Sequence, residues 1–374
     1  MPFSDFAGNP ETIHRLREML ARERFPHAVI LSGAQGSGKY TLALMLARAM
    51  NCLERPIAGG LPDFCGRCSN CTRIAQSEDL DSRFAEAVEA RENMRETDKK
   101  ETRLFVQTHP DVLIVPPDPP QMMIKVDQVR HVIETIYYRP GEARERVYIF
   151  TSSAFMKEAA NSLLKVLEEP PEFASIFLLT ENAGELLPTI RSRSMTFNLG
   201  ALAFPEIEGR LAELRPAWNP RQRALAARLS EGAIGRALSF DLEGYMAARN
   251  HALIMLRSAL GGHDGGNNKD SDHTELFKTT ETYRAGADGR EKIDNLLRTF
   301  YSLLEDLMFL QSGAERLVRN TDILGELKKM SEAADFAWLQ RAAESLGEVE
   351  RGLRRNLLRS LSLDAFATAL ERTS

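Results

Sequence analysis

A short segment near the N-terminus, GAQGSGKY at residues 33–40, has the residue types and spacing to bind phosphate. The glycines Gly33, Gly36 and Gly38 allow backbone N–H groups to converge on phosphate oxygens, and a helix N-terminus behind them adds a favourable dipole. Lys39 would contact the outer phosphates of a nucleotide. The segment therefore predicts a nucleotide-binding loop, and the alternative is a glycine-rich turn without a ligand.

The residue after this lysine departs from the usual pattern. Phosphate loops carry a serine or threonine there, and its hydroxyl binds Mg²⁺. In this chain the position is Tyr40, whose phenol oxygen lies too far from the backbone to take that place. Thr41 is about 100° further round the helix and is a poor substitute. We expect impaired positioning of Mg²⁺, while binding of ATP or ADP stays open.

Hydrolysis of ATP also requires acidic residues beside the metal. A buried strand should end in a carboxylate that orients Mg²⁺, with a second carboxylate that polarises the attacking water. The candidate strand at 146–150 runs instead into Thr151 and Ser152, and the next acid is Glu158 in the following helix. Neutral hydroxyls cannot replace carboxylates in either role, so we expect that ATP hydrolysis is lost.

All four cysteines of the chain lie close together in the sequence. Cys65, Cys68 and Cys71 form two overlapping C-x-x-C steps, and Cys52 lies upstream. This spacing is typical of a tetrahedral zinc site, and four thiolate ligands leave no open position for water. We expect structural Zn²⁺. The alternatives are paired disulfides and a redox centre.

These groups are expected on an α/β domain with a parallel sheet. Continuous apolar segments, typical of strands buried on both faces, alternate with segments in which apolar residues recur at helical spacing. The predicted strands are 27–33, 111–117, 146–150 and 175–180, and the predicted helices are 39–50, 125–136 and 155–169. The phosphate loop lies between the first strand and the first helix, which is the context that phosphate binding requires.

After about residue 200 the strand signals disappear, and the chain is predicted to be helical. We expect three domains: residues 1–199 with the cysteine module at 52–71 and a charged insert at 76–103, a small helical domain at 200–242, and a helical domain at 243–374. The insert is expected to be a solvated helix or a disordered segment. The polar stretch 261–273 predicts a flexible loop within the last domain.

The composition narrows the class of protein. The 374 residues carry a net charge of −5, which argues against a protein that holds DNA alone through its phosphates. No apolar run approaches the roughly 20 residues that span a bilayer. The N-terminal sequence lacks a basic start and an apolar signal core. We expect a cytoplasmic protein.

Several motifs occur here in one order and carry a resemblance to a known family. The phosphate loop and the cysteine module are followed by HPDVLIV at 109–115, NSLLKVLEEPP at 161–171, TIRSRS at 189–194 and SEGAIGRAL at 230–238. This series resembles the AAA+ clamp-loader family of the bacterial DNA polymerase III holoenzyme. The resemblance covers essentially the whole chain, more loosely in its last part. It implies a RecA-like domain, a small helical lid and a C-terminal helical collar domain for oligomerisation.

Within that family the motor subunits keep a complete phosphate loop and an acidic pair on the third strand. Because this chain has Tyr40, Thr151 and Ser152 at those positions, it is similar to the delta-prime group, the stator of the loader. The resemblance implies that such a chain helps load the sliding clamp onto primed DNA in DNA replication without hydrolysing ATP itself.

The resemblance also implies roles for two arginines. Arg193 matches the arginine finger, which reaches in trans the ATP of an adjacent motor subunit; here the motif ends in Ser194 where family members have cysteine. Arg191 is near enough to compete for the role, and the alternative for Arg193 is a surface salt bridge. Arg236 matches the lid arginine that senses bound nucleotide in active relatives.

The implied partners are the gamma/tau motor subunits and the delta subunit in a hetero-oligomeric ring. The sliding clamp and primer–template DNA would be contacted through the complex, and no membrane is implied. Two alternatives stay open. One is an active ATP-hydrolysing motor subunit of the gamma/tau type, and the other is a zinc-containing nucleic-acid-binding protein unconnected with clamp loading. Polymerase activity itself would belong to the holoenzyme.

Overall fold

The computed structural model describes residues 2–260 and 289–354, together with Phe366 and Leu370. The chain divides into two compact units, residues 1–210 with 231–236 and residues 211–230 with 237–374. All the candidate site residues belong to the first unit. The predicted loop at 261–273 lies outside the described residues. None of the helices in the described part of the chain is both long and apolar enough to cross a bilayer.

A six-stranded sheet forms the centre of the first unit, in the order β4–β5–β6–β7–β1–β8. Its neighbouring strands are parallel except for the antiparallel pair β4–β5. The strands, with the separate β2–β3 hairpin, are β1 Ala28–Ser32, β2 Ile57–Ala58, β3 Leu61–Pro62, β4 Val106–His109, β5 Val112–Val115, β6 Arg146–Phe150, β7 Ala174–Thr180 and β8 Met195–Asn198. The four predicted strands are β1, β5, β6 and β7. The predicted α/β domain with a mostly parallel sheet is confirmed.

Helices cover both faces of this sheet. The helices before residue 200 are α1 Pro10–Ala21, α2 Lys39–Asn51, α3 Ser69–Ala75, α4 Leu80–Glu92, α5 Glu96–Glu101, α6 Val126–Ile136, α7 Lys157–Glu168 and α8 Pro188–Arg191. Alternate residues of β1 point to opposite sides: Val29 and Leu31 pack in the cluster that contains α2, and Ala28 and Ile30 pack in the cluster that contains α6 and α7. Because both faces are buried, the strands read as continuous apolar runs.

Helix α7 shows how the NSLLKVLEEPP motif serves the fold. Ala159, Leu163 and Leu167 form the predicted apolar stripe and are buried against the sheet. The helix ends at Glu168, just before Pro170 and Pro171, which lack the N–H needed to continue it. The motif therefore places two glutamates at a defined helix C-terminus.

The second unit is helical in its described part, with helices Pro220–Leu229, Leu242–Leu260, Gly289–Gln311, Leu324–Ala333 and Phe336–Arg354. Leucines and alanines from the last four of these helices form one apolar core, in which Phe300 and Phe366 meet edge to face. The predicted division into a lid at 200–242 and a collar domain at 243–374 stays a prediction.

The charged insert at 76–103 contains α4 and α5, and no side chain of α4 is buried. Three ion pairs among the described residues attach it to the domain: Arg91 donates to the buried carboxylate of Asp118 at 2.8 Å, Glu78 pairs with Arg48, and Arg103 pairs with Asp127. Lys125 donates to the same oxygen of Asp118 at 2.9 Å. The insert is therefore a solvated helical segment attached by ion pairs.

The HPDVLIV motif holds the cysteine module to the sheet through buried polar groups. The backbone N–H of Asp111 donates to Nδ1 of His109 at 3.1 Å, so Nε2 carries the proton and donates to Asn70, which precedes Cys71. Asn70 in turn donates to the carbonyl of Asn51 at the end of α2. Burial lowers the pKa of His109, which keeps the ring neutral as these bonds require.

The carboxylate of Asp111 closes the loop before β6. It accepts backbone hydrogen bonds from Gly141, Glu142 and Ala143 at 3.0, 2.9 and 2.9 Å. Burial alone would raise the pKa of Asp111, but these three bonds and Arg146 outweigh it and hold the pKa below its ordinary value. The charged form of Asp111 therefore stabilises the fold.

We expect Asp111→Asn to lower the free energy of unfolding by about 1.5–3 kcal/mol near neutral pH, because hydrogen bonds to a charged acceptor are lost. Since the folded-state pKa of Asp111 is depressed, its contribution is present above the ordinary pKa and is lost as pH falls through the folded-state value. Denaturant titrations at neutral and acid pH should show the variant approach the wild type in acid. Asp294→Asn, at an exposed helix position, is the control and should change stability by less than about 0.5 kcal/mol. A constant difference at all pH values would contradict this account.

Candidate functional site

The phosphate loop joins β1 to α2 and is closely packed by two other segments of the first unit. Gly36 and Gly38 have φ angles of 79° and 90°, which side chains rarely adopt. A Cβ at Gly36 would lie 2.6 Å from the backbone nitrogen of Arg236, and one at Gly38 would lie 2.9 Å from the ring of Phe6. The N–H of Gly235 also donates to the carbonyl of Gly36 at 2.8 Å. The glycines are thus required both by the turn and by close packing.

Lys39 lies at the start of α2 and folds back on the loop. Its ammonium group donates to the carbonyls of Gly33 and Ala34 at 2.6 and 2.9 Å. Burial lowers the pKa of Lys39; the charge of Glu181 opposes this, and that of Arg236 adds to it. The ammonium is therefore held within the loop by backbone acceptors.

Ser37 provides a test of whether the loop fits a phosphate. Its side chain is 3% exposed, and its hydroxyl oxygen has no hydrogen-bond partner among the described groups. A buried hydroxyl without a partner is unusual and calls for a ligand or water that satisfies it. Together with the glycines and the N-terminus of α2, this hydroxyl fits the phosphate chain of a nucleotide.

The side chain of Tyr40 makes its hydrogen bond outside the loop. Its hydroxyl donates to the carbonyl of Ser77, behind the cysteine module, at 2.5 Å, and its ring packs with the apolar cluster around α2. Burial raises the pKa of Tyr40 above its ordinary value, so the phenol stays protonated. The neighbouring Thr41 is exposed. The residue that replaces the Mg²⁺ ligand is therefore a structural contact between α2 and the segment after α3.

The end of β6 carries hydroxyls, as the sequence indicated, but a carboxylate approaches from elsewhere. Ser153 and Thr180 both donate to Glu185, the latter at 3.0 Å. Glu185 lies in a short 3-10 turn, Ala183–Glu185, after β7. The sequence reasoning missed this residue, because only the folding of that turn brings it back to the strand ends.

Glu181 and Glu185 also act electrostatically on Lys39. Both charges raise the pKa of that ammonium, and both reduce the positive potential that a phosphate would meet. Glu185 is exposed and held by hydroxyls at the end of a turn, not fixed on a strand. The site therefore has phosphate-binding groups next to negative charge, without a strand-borne pair of carboxylates for Mg²⁺ and water.

The four cysteines converge as the spacing predicted. Their sulfur atoms all lie within 4.8 Å of one another, close to the edges of about 3.8 Å expected for thiolates around Zn²⁺ at about 2.3 Å. Cys52 follows α2, and Cys68 precedes α3. The backbone N–H groups of Cys65 and Cys68 donate to the sulfurs of Cys52 and Cys65, each at 3.3 Å, which favours thiolates. All four thiols are free, and the set could bind a metal.

Arg193 follows the short helix α8 and forms a surface ion pair. Its Nη2 lies 2.7 Å from the carboxylate of Glu168, and its Nη1 donates to the carbonyl of Thr189 at 3.1 Å. The guanidinium side chain is 35% exposed. Arg191, on the same segment, is exposed and makes no side-chain bond among the described residues. Both arginines are therefore accessible from solvent.

Arg236 lies next to the phosphate loop. Its Nη1 donates to Glu231 at 2.6 Å, and its backbone packs on Gly36. The structure thus brings Arg236 together with the loop glycines and Lys39. No contact among the described residues joins Arg193 to that loop.

Comparison with known proteins gives consistent matches. Residues 8–203 match the family model described as DNA polymerase III, delta subunit. The tau subunit of DNA polymerase III from Escherichia coli (strain K12) is 30% identical over 265 residues, which are 70% of this chain and 36% of tau. The delta′ subunit from Bacillus subtilis (strain 168) is 32% identical over 205 residues, 54% of this chain and 51% of delta′.

A crystal structure of a DNA polymerase III, gamma subunit-related protein from Thermotoga maritima has a TM-score of 0.41 and 17% identity, covering 96% of this chain and 99% of that one. Among the curated relatives, the chain spans about a third of the length of tau and about half the length of delta′.

The cysteine module generates a direct test. We expect about one Zn²⁺ per chain by mass spectrometry of the metal content, and Cys68→Ser should retain less than about a tenth of it after brief chelation, because three ligands hold structural zinc poorly. Ser69→Ala, at the exposed neighbouring position, should keep its zinc. Thiol titration after complete metal removal should find four free cysteines. Disulfides in the purified protein would contradict the metal site.

Proposed function

The chain belongs to the DNA polymerase III delta subunit family, and from that premise we propose that it is a stator of the delta-prime type in a clamp loader. It would help load the sliding clamp onto primed DNA and donate Arg193 to the ATP of an adjacent motor subunit. One observation carries the proposal: the phosphate loop stands beside strand ends that lack the groups for Mg²⁺ and water, since Tyr40 is bonded to Ser77 and β6 runs into hydroxyls.

The charges around the loop support a role without turnover. Phosphoryl transfer needs a metal between the phosphates and a residue that orients the attacking water. Glu185 is engaged by Ser153 and Thr180, and its charge lies close enough to Lys39 to weaken the attraction for phosphate. Under this proposal the loop, with Ser37 and Lys39, binds ATP or ADP as a structural ligand.

Arg193 supports the second half of the proposal. A guanidinium carries a fixed charge and forked donors, which suit the oxygens of a γ-phosphate as charge moves to the leaving group. The side chain is accessible and follows the short helix α8, and no contact among the described residues joins it to the phosphate loop of its own chain. This accessibility supports a role on a nucleotide held by another chain.

The proposed partners follow from this role. They are the gamma/tau motor subunits and the delta subunit, with the clamp and primer–template DNA contacted through the assembly in the cytoplasm. The net charge of −5 agrees with DNA contact through the assembly instead of by the isolated chain. The cysteine module would hold Zn²⁺ as a structural element, because four thiolates leave no open coordination position.

A second candidate is an active motor subunit of the gamma/tau type. Two observations favour it: Lys39 and the loop glycines are intact, and the chain is 30% identical to a tau subunit over 265 residues. In this case Glu185 would have to replace the acidic pair of the strand. The two candidates differ in whether the isolated chain turns over ATP.

Arg193→Ala tests the stator role. In a loader assembled with its motor and delta subunits, we expect normal assembly by gel filtration and a loss of about 10³-fold in turnover at the site that receives the finger. Arg191→Ala serves as the matched variant on the same segment. Equal ATPase rates for Arg193→Ala and wild-type loaders would refute the assignment, and a loss confined to Arg191→Ala would move the finger to that residue.

The isolated chain provides the test between the two candidates. We expect no ATP hydrolysis above the rate of a Lys39→Ala variant, because neither a Mg²⁺ ligand at position 40 nor a strand carboxylate is present. Phosphate release measured at saturating ATP and Mg²⁺ checks this. Turnover that disappears in Lys39→Ala would establish the motor candidate instead.

A further inference from the structure

The ion pair between Glu168 and Arg193 joins the NSLLKVLEEPP motif to the proposed finger. Glu168 is the last residue of α7, and its Oε1 lies 2.7 Å from Nη2 of Arg193. A helix C-terminus disfavours negative charge, because the macrodipole is negative there. Arg193 therefore provides the counterion for the carboxylate of Glu168, which lies at an unfavourable position for negative charge.

Two further acceptors hold the same guanidinium. Nη1 donates to the carbonyl of Thr189 at 3.1 Å and lies 3.4 Å from the hydroxyl of Ser192. Three acceptors of its own unit therefore keep the side chain against its own surface, and Glu168 is the charged one among them. A finger that reaches another chain has to leave these acceptors.

Charge makes the departure from Glu168 necessary. A guanidinium paired with a carboxylate is nearly neutral as a group and brings a negative charge with it, so it attracts a γ-phosphate less than a free arginine does. The pair is exposed on both sides, 35% for Arg193 and 51% for Glu168. Exposed pairs are weak, so this one biases the position of the arginine without fixing it.

We propose that Glu168 is a positioning residue that holds Arg193 withdrawn, and that the γ-phosphate of ATP on the adjacent subunit competes with it for the guanidinium. This inference rests on the proposed role of Arg193 as a finger. ADP lacks the competing phosphate and leaves the arginine with Glu168. The ion pair thereby makes engagement of the finger dependent on ATP.

The size of the effect follows from the strength of the pair. If Arg193 is released from Glu168 for only a fraction of the time, the apparent efficiency of the finger is reduced to that fraction. Removing the charge of Glu168 should restore the efficiency. An exposed ion pair of ordinary strength corresponds to a factor of about 2–5. Glu168→Gln should therefore raise, not lower, the ATPase efficiency of the assembled loader.

The experiment compares loaders that contain wild-type chain, Glu168→Gln or Glu169→Gln, with steady-state ATPase measured over a range of ATP concentrations. Glu169 is the matched control, because it is the adjacent exposed glutamate and no ion pair of its side chain occurs in the described structure. We expect kcat/KM at the site that receives the finger to rise about 2–5-fold for Glu168→Gln and to stay unchanged for Glu169→Gln. A decrease, or no difference between the two variants, overturns the inference.

A double variant shows whether Glu168 acts through Arg193. Combining Glu168→Gln with Arg193→Ala should give the rate of Arg193→Ala alone, because no finger remains to be released. If Glu168→Gln raises the rate equally in both backgrounds, the residue acts by another route and the inference fails. If Arg193→Ala alone has no effect, the proposed function fails. If Arg193→Ala lowers the rate while Glu168→Gln matches wild type, only the inference fails.

Discussion

Parallel strands bring the carboxyl ends of β1, β6 and β7 to one edge of the sheet, and this constraint places the phosphate loop next to the hydroxyls at the ends of β6 and β7. The loop with Lys39 leaves from β1, hydroxyls follow β6, and Thr180 ends β7. Because strand ends are fixed by the register, a carboxylate on β6 would be rigid, whereas Glu185 reaches the same edge from a turn. The edge thus keeps the geometry for phosphate and lacks the rigid acid that metal-dependent hydrolysis requires.

The loop with Lys39 and the surface of Arg193 reside on different elements, so one can change without the other. The loop is built from β1, α2 and the residues around Arg236, and Arg193 depends on α8 and on the end of α7. A change at residue 40 or after β6 therefore leaves the surface around Arg193 intact. The cysteine module is a third independent element, bonded to the sheet through Asn70 and His109.

Elements and site residues could be predicted from the sequence where their signal is local or repeated. Strands such as β6 were predicted because both faces are buried and the apolar run is continuous, and the cysteines were found by their spacing. The edge strands β4 and β8 were missed, because they are short and partly exposed, which leaves no continuous run. The position of Glu185 and the pairing of Glu168 with Arg193 could not be predicted, since both depend on residues that only the tertiary fold brings together.

Under the proposed stator role, Tyr40 bears on what ATP hydrolysis by such a chain would require. A change to threonine would restore one hydroxyl beside the loop, but it would remove the ring from the cluster around α2 and leave the carbonyl of Ser77 without its donor. The substitution would lower the stability of the fold, and ATP hydrolysis would still require two carboxylates on another strand. Tyr40 therefore serves the scaffold around α2, and a short hydroxyl beside the loop would be gained only at a cost in stability.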